Sequence, residues 1–181
     1  MYKFYGNLGW YVIWVLTGHE QQVEKRIMDR FCDDDIVPFI PLVETLFKRA
    51  GKVKKELKNM YPGYVFVESD LESGEFLQRT QRFVKESKDI IKVLRHGDSN
   101  EIAIREDEKA ALLRFCNDDY CIESSMGFIK GDRFFIESGP LVGMENVIIE
   151  LNKKRMEASF EMEFMGAIRR ITVGLELLRK I

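Results

Sequence analysis

The sequence predicts an α+β domain with the split βαβ (ferredoxin-like) arrangement, followed by a small β-barrel. Three observations carry this. The first is an element order of strand, helix, strand, strand, helix, strand in the first hundred or so residues, which matches an antiparallel sheet with helices on one face. The second is a change of pattern after Cys116, beyond which no helical stripe recurs. The third is the stretch "MEASFEME" (156–163), where apolar Met156, Ala158, Phe160 and Met162 alternate with Glu157, Ser159, Glu161 and Glu163. Strict period two means one wet face and one buried face.

The first strand is "WYVIWVLTG" (10–18), aromatic and β-branched, ended by Gly18. In "HEQQVEKRIMDRFC" (19–32), Val23, Ile27 and Phe31 fall at i, i+4 and i+8 and share one helical face. The polar run "DDD" (33–35) stops that helix. "IVPFIPLVETLFKRAG" (36–51) is extended, because Pro38 and Pro41 forbid a helix interior. "KVKKELKNMYPGYVFVESD" (52–70) returns as the second arm of a hairpin with its loop near Ala50-Gly51. "ESGEFLQRTQRF" (72–83) places Phe76, Thr80 and Phe83 on a helical stripe, "IIKVL" (90–94) is a short strand, and "REDEKAALLRFC" (105–116) is a helix with acids in its first turn, where the macrodipole favours them.

The polar segment 117–127 reads as a linker. After it come strand and turn in "DRFFIESG" (132–139), strand in "NVIIEL" (146–151), a turn at "NKKR" (152–155), and a last strand from "AIRRITV" (167–173). Several short strands in about 55 residues suggest a small barrel. The expected domains are 1–116, the linker 117–127, and 128–181.

Composition narrows the function. The chain of 181 residues is 45% apolar, with a formal net charge of −2, so any polyanion site must come from local clusters. Three cysteines, an odd and low count, argue against a disulfide framework and fit a reducing cytosol. No apolar stretch approaches the roughly 18 residues that span a bilayer, and the start lacks the apolar segment of a signal peptide. A cytoplasmic protein is expected. His19 and His96 are far apart, and Cys116 and Cys121 have no second close pair, which is unlike a zinc knuckle. Cys32 and Cys116 end helices and read as small core hydrophobes. No phosphate-cradling glycine loop with its lysine is present. The expectation is a protein that is not an enzyme, with no catalytic residues, metal or cofactor. The rival, a Cys32 or Cys116 nucleophile with a histidine, needs a thiolate beside His19 or His96.

Two basic features stand out. Residues 48–58, "KRAGKVKKELK", hold six basic residues and one acidic one. They read as an arm near nucleic acid or an acidic surface, or as a solvated hairpin tip whose lysines deter edge pairing. From Met126 onward nine basic residues face eight acidic ones, so location matters more than total. Lys153, Lys154 and Arg155 occupy one turn, and Arg169 and Arg170 lie in sequence on a later strand, where at least one of them must be exposed.

"WYV" (10–12), "TGHE" (17–20) and "YPGYVFVE" (61–68) after a basic hairpin resemble the N-terminal (NGN) domain of NusG-type transcription elongation factors. "GDRFFIESGPLVGMENVIIEL" (131–151) resembles that family's C-terminal KOW module, an SH3-like β-barrel. The resemblance runs from Trp10 nearly to the end, and the Pro-Gly-Tyr motif and the Gly-Pro-x-x-Gly turn together are its most specific part. It implies that the N-terminal domain grips the clamp of the largest catalytic subunit of RNA polymerase through an exposed apolar pocket. Trp10 would form its floor or edge, Tyr61 and Tyr64 its rim, Pro62 and Gly63 the turn that aims them, and Phe66 a further member. Residue type alone reads these aromatics as ordinary core; the resemblance assigns Trp10 and Tyr61 to a surface. Within the family the chain is most similar to specialised LoaP-type antiterminators. Asn146 stands where a second glycine is usual and can keep the left-handed backbone, and "NKKRMEAS" and "AIRRI" are basic. That likeness implies that Lys153, Lys154, Arg155, Arg169 and Arg170 contact an RNA hairpin in a leader transcript. The housekeeping likeness implies that the barrel binds the termination factor Rho or a small-subunit ribosomal protein instead.

Overall fold

In the computed structural model the described residues are 8–31, 35–131 and 133–179. They form a mixed α+β protein with three helices and mainly antiparallel sheets. Cys32 and the first two aspartates of the "DDD" run lie outside the described residues.

The chain divides into two compact units. The first holds the described residues up to Ile40 together with Tyr61–Lys109, and the second holds Pro41–Met60 with the described residues from Ala110 onward. The hairpin arm thus belongs with the C-terminal strands, a grouping that crosses the boundary expected at residue 116.

In the first unit, β1 (Gly9–Val15), β2 (Ile36–Phe39), β5 (Tyr64–Ser69) and β6 (Ile90–Val93) form a four-stranded antiparallel sheet of order β2-β5-β1-β6. Helices α1 (Glu20–Arg30) and α2 (Ser73–Glu86) meet where Phe31 and Phe83 pack edge to face at 5.6 Å. The sheet face they share is marked by Tyr11, which stacks on Phe76 of α2 at 4.0 Å. Val23, Ile27 and Phe31 are all buried, as their spacing requires, and so are Phe76 and Thr80. An Arg26–Asp89 ion pair ties α1 to the residue before β6. Burial works to raise the Asp89 carboxyl. The hydrogen bond from Arg26, that from its own backbone N–H, the Arg26 charge and His19 outweigh burial and hold it below the ordinary range.

In the second unit, β3 (Leu42–Arg49) and β4 (Lys52–Asn59) pair from Leu42↔Asn59 to Arg49↔Lys52, leaving the two-residue loop Ala50-Gly51. Both loop residues have positive φ, 52° and 76°, the twist that matches a tight hairpin. The segment 36–51 is therefore two strands in two different sheets, β2 and β3, because Ile40 and Pro41 interrupt it. Within 117–127, β7 (Cys121–Ile122) pairs in parallel with β3.

The helix α3 (Glu106–Leu113) is followed by β8 (Ser125–Lys130), β9 (Arg133–Ser138), β10 (Glu150–Asn152), β11 (Glu157–Phe164) and β12 (Ala167–Arg179). These five strands form a sheet of order β10-β11-β12-β8-β9. No ladder joins its two outer strands among the described residues. β12 serves two partners: Ala167–Gly174 pair with β11, and Leu175–Arg179 run parallel to β8. At the change-over, a Cβ on Gly174 would stand 2.8 Å from Leu46 and 3.0 Å from the Glu44 carbonyl, so only glycine lets β12 approach β3 this closely.

The 156–163 alternation holds, with one departure. Met156, Ala158, Phe160 and Met162 are buried, but Ser159 on the other face is buried too, bonded to Thr172 at 2.8 Å. The strand expected over 146–151 starts only at Glu150, because residues 145–147 form a turn. Gly139 and Gly143 take positive φ, whereas Asn146 is not among the left-handed residues, so the expected substitution for glycine there is not used.

Candidate functional site

The two motifs on either side of the first sheet meet at one carboxylate. Glu20 is buried, and it accepts hydrogen bonds from the backbone N–H of Gly18 (2.8 Å) and of Gly63 (2.6 Å). Gly63 in turn lends its carbonyl to the Val15 N–H at 2.8 Å. Gly63 has a φ of 88°, and a Cβ there would lie 3.2 Å from the Thr17 hydroxyl. The Pro-Gly breakers at the mouth of β5 thus make a tight turn that delivers an N–H to Glu20, the last residue of "TGHE".

The sheet face away from the helices follows from register. Trp10, Val12 and Trp14 stand directly across from Glu68, Phe66 and Tyr64. This face is not an open hollow along its whole length. Trp10 is 1% exposed, its indole N–H donates to Glu68 Oε2 at 3.0 Å, and its ring packs edge-on to Phe39 at 4.9 Å. The Lys109 ammonium sits 5.3 Å from its centroid. Tyr61, 6% exposed, stacks on Phe66 at 5.7 Å, and Phe66 is fully buried. The expectation of Trp10, Tyr61 and Phe66 as reachable pocket residues is therefore corrected. Four rings, those of Trp10, Phe39, Tyr61 and Phe66, fill the space they were expected to leave open.

Farther along the same face the aromatics are reachable. Pro62 is exposed and Tyr64 half-buried, while Gly63 is buried in the turn. Beside them stands Trp14, 36% exposed, with Tyr64 at 6.4 Å and the Lys92 ammonium 5.6 Å above its ring. The reading of the sequence missed Trp14. Its signal was present, since period two from Trp10 puts Trp14 on the same face.

The basic residues of the C-terminal strands do not form one patch. Lys153, Lys154 and Arg155 are exposed in the turn between β10 and β11, held by the Arg155 N–H donating to Asn152 Oδ1 at 2.9 Å. Arg169 and Arg170 are both exposed, one more than the minimum expected. They pair across from Met162 and Glu161, toward the far end of β11 from that turn. Arg170 is engaged with Glu150 at 2.7 Å. Being adjacent on a strand, the two arginines leave opposite faces.

Among the described residues, which leave out Cys32, the thiol rival has no geometric support at Cys116. Burial, with Cys121 nearby, pushes the Cys116 thiol up to about 12, and burial also raises Cys121, so neither offers a thiolate at neutral pH. His96 is buried against Glu108 at 3.2 Å, and His19 lies 3.6 Å from Asp89.

Residues 8–113 match the model of a family described as transcription termination factor NusG. The chain is 24% identical over 187 residues to a transcription termination/antitermination protein NusG of Helicobacter pylori, covering 96% of this chain and 99% of that one. It is 24% identical over 169 residues to the protein so named in Thermus thermophilus, covering 88% and 91%. The corresponding figures for the Pseudomonas aeruginosa protein are 21% over 179 residues, 95% and 98%.

Proposed function

Given that the chain belongs to the NusG family of transcription termination and antitermination factors, we propose that it is a specialised antiterminator of the LoaP type. On this reading the N-terminal domain binds the clamp of RNA polymerase in the cytoplasm, and a KOW module contacts leader RNA. Among the described residues no helix is long and apolar enough to cross a membrane. Members of the family act with RNA polymerase and are transcription factors rather than enzymes.

The observation that supports the polymerase half is the reachable aromatic end of the face opposite α1 and α2, Trp14 with Tyr64, Lys92 and Pro62. An exposed tryptophan fixed by a neighbouring ring and a cation suits an anchor for another protein's apolar helix. Binding at such a face biases the enzyme toward whichever conformation the factor prefers, by the difference in its affinities. A factor that favours the closed clamp disfavours pausing and release. The RNA half is supported by Lys153, Lys154, Arg155 and Arg169, exposed cations placed where phosphates can reach them.

Transcription in vitro through a terminator, on the chain's own leader, tests the whole reading. Added protein is expected to raise read-through, and Trp14→Ala to weaken polymerase binding about tenfold. Unchanged read-through with the intact protein would remove the antitermination reading. The alternative, in which the C-terminal strands bind Rho or a small-subunit ribosomal protein, is favoured by the near balance of nine basic and eight acidic residues from Met126 onward. A pull-down of those partners by the full chain separates the two.

A further inference from the structure

The hairpin β3–β4 carries a cationic, aromatic-bearing tip that neither the polymerase contact nor the leader contact uses. Its register places Phe47 directly across from Lys54, and Arg49 directly across from Lys52, all four on one face of the ribbon. Directly opposed side chains on such a pair are within roughly 5 Å at Cβ. Phe47 is 37% exposed, and Arg49, Lys52 and Lys54 are exposed. Among the described residues no carboxylate pairs with these three cations. Two other lysines of the hairpin differ: Lys55 is held by Glu44 at 2.9 Å, and Lys58 by Glu56 at 3.5 Å. Glu56 is the carboxylate on the Phe47 face, and it is therefore partly neutralised. Farther down the same face Val43 and Thr45 are buried, so on β3 the reachable part of this face ends at Phe47.

We propose that this hairpin tip binds single-stranded nucleic acid, with a base on the Phe47 ring and successive phosphates on Arg49, Lys52 and Lys54. Three unpaired cations around an exposed ring match the way such strands are held, by a charged track plus a stacking platform. A base offers its face only when unpaired, so the ring selects single strands over duplex. An acidic protein surface would use the cations and leave the ring idle.

Fluorescence anisotropy of the full chain tests this, with a labelled oligothymidylate of about fifteen nucleotides, its RNA counterpart and a duplex of the same length as probes. The single strands are expected to bind about tenfold tighter than the duplex. Phe47→Leu should weaken single-strand binding about tenfold with the salt slope unchanged. Lys52→Glu with Lys54→Glu should flatten the slope of log K against log salt by about 1.4, for two lost phosphates. Leu57→Ser, exposed on the opposite face, should change nothing. Replacing Lys153, Lys154 and Arg155 by Glu should leave the Phe47-dependent binding in place, which supports the proposal. Tighter duplex binding, wild-type affinity in Phe47→Leu, or loss of all binding in the Lys153–Arg155 variant overturns it.

Discussion

Glu20 and Gly63 show how much one side chain can organise. The Glu20 carboxylate satisfies two backbone donors from different parts of the fold, at the end of β1 and at the start of β5. Glu20→Ala leaves both without their acceptor, and stability is expected to fall by about 2–3 kcal/mol in urea unfolding. Glu20→Gln, which keeps one acceptor oxygen, should recover part of that. Gly63→Ala should also destabilise, because its positive φ and the close Thr17 hydroxyl oppose a side chain. The two tryptophans of β1 separate structure from recognition. Trp10→Ala removes a ring buried among three others and is expected to cost about 3–5 kcal/mol. Trp14→Ala, at a ring that is 36% exposed, should cost less stability than Trp10→Ala while weakening polymerase binding.

At the scale of elements, acid is the informative perturbant. Asp89, which anchors α1 beside β6, has a carboxyl held below its ordinary range. Glu44 in β3 does too: burial raises it, but hydrogen bonds from Ser124 and Lys55 outweigh burial. A depressed folded-state value means that stability is present above the ordinary carboxylate range and is lost as pH falls through the folded value. Urea unfolding from pH 7 downward should show little change until about pH 4 and then a steep loss. Asp89→Asn should be less stable at pH 7 and show a shallower acid limb. Much at this scale was legible in the sequence. Stripes at Val23, Ile27 and Phe31, or at Phe76 and Thr80, report which way a helix faces, and the Ala50-Gly51 loop reports a turn geometry. Partners were less legible. Nothing in the period of 36–51 says that its halves join different sheets, and nothing in "CI" at 121–122 announces a strand, because two residues carry no periodicity. The site was misread for a related reason. Alternation told which residues share a face with Trp10, but not that Phe39, brought in by β2, would cover it.

For the whole molecule, a formal charge of −2 means that affinity for polyanions cannot come from a general field. It has to reside in separate clusters, each with its own salt signature. Reversing Lys153 and Lys154 together is expected to weaken leader-RNA binding. It should also flatten the salt slope by about 1.4 if both touch single-stranded phosphates. Filter binding across a salt series reads this directly.

The position of β12 has a consequence for how the protein is made. It is the last of its five strands to leave the ribosome, yet it stands in the middle of their order, with β11 on one side and β8 on the other. Until residue 167 and those after it have been translated, the pairs β8–β9 and β10–β11 have no common neighbour to dock against. Assembly of that sheet thus waits until β12 itself has been made, and a nascent chain halted before residue 167 would hold two unjoined ribbons.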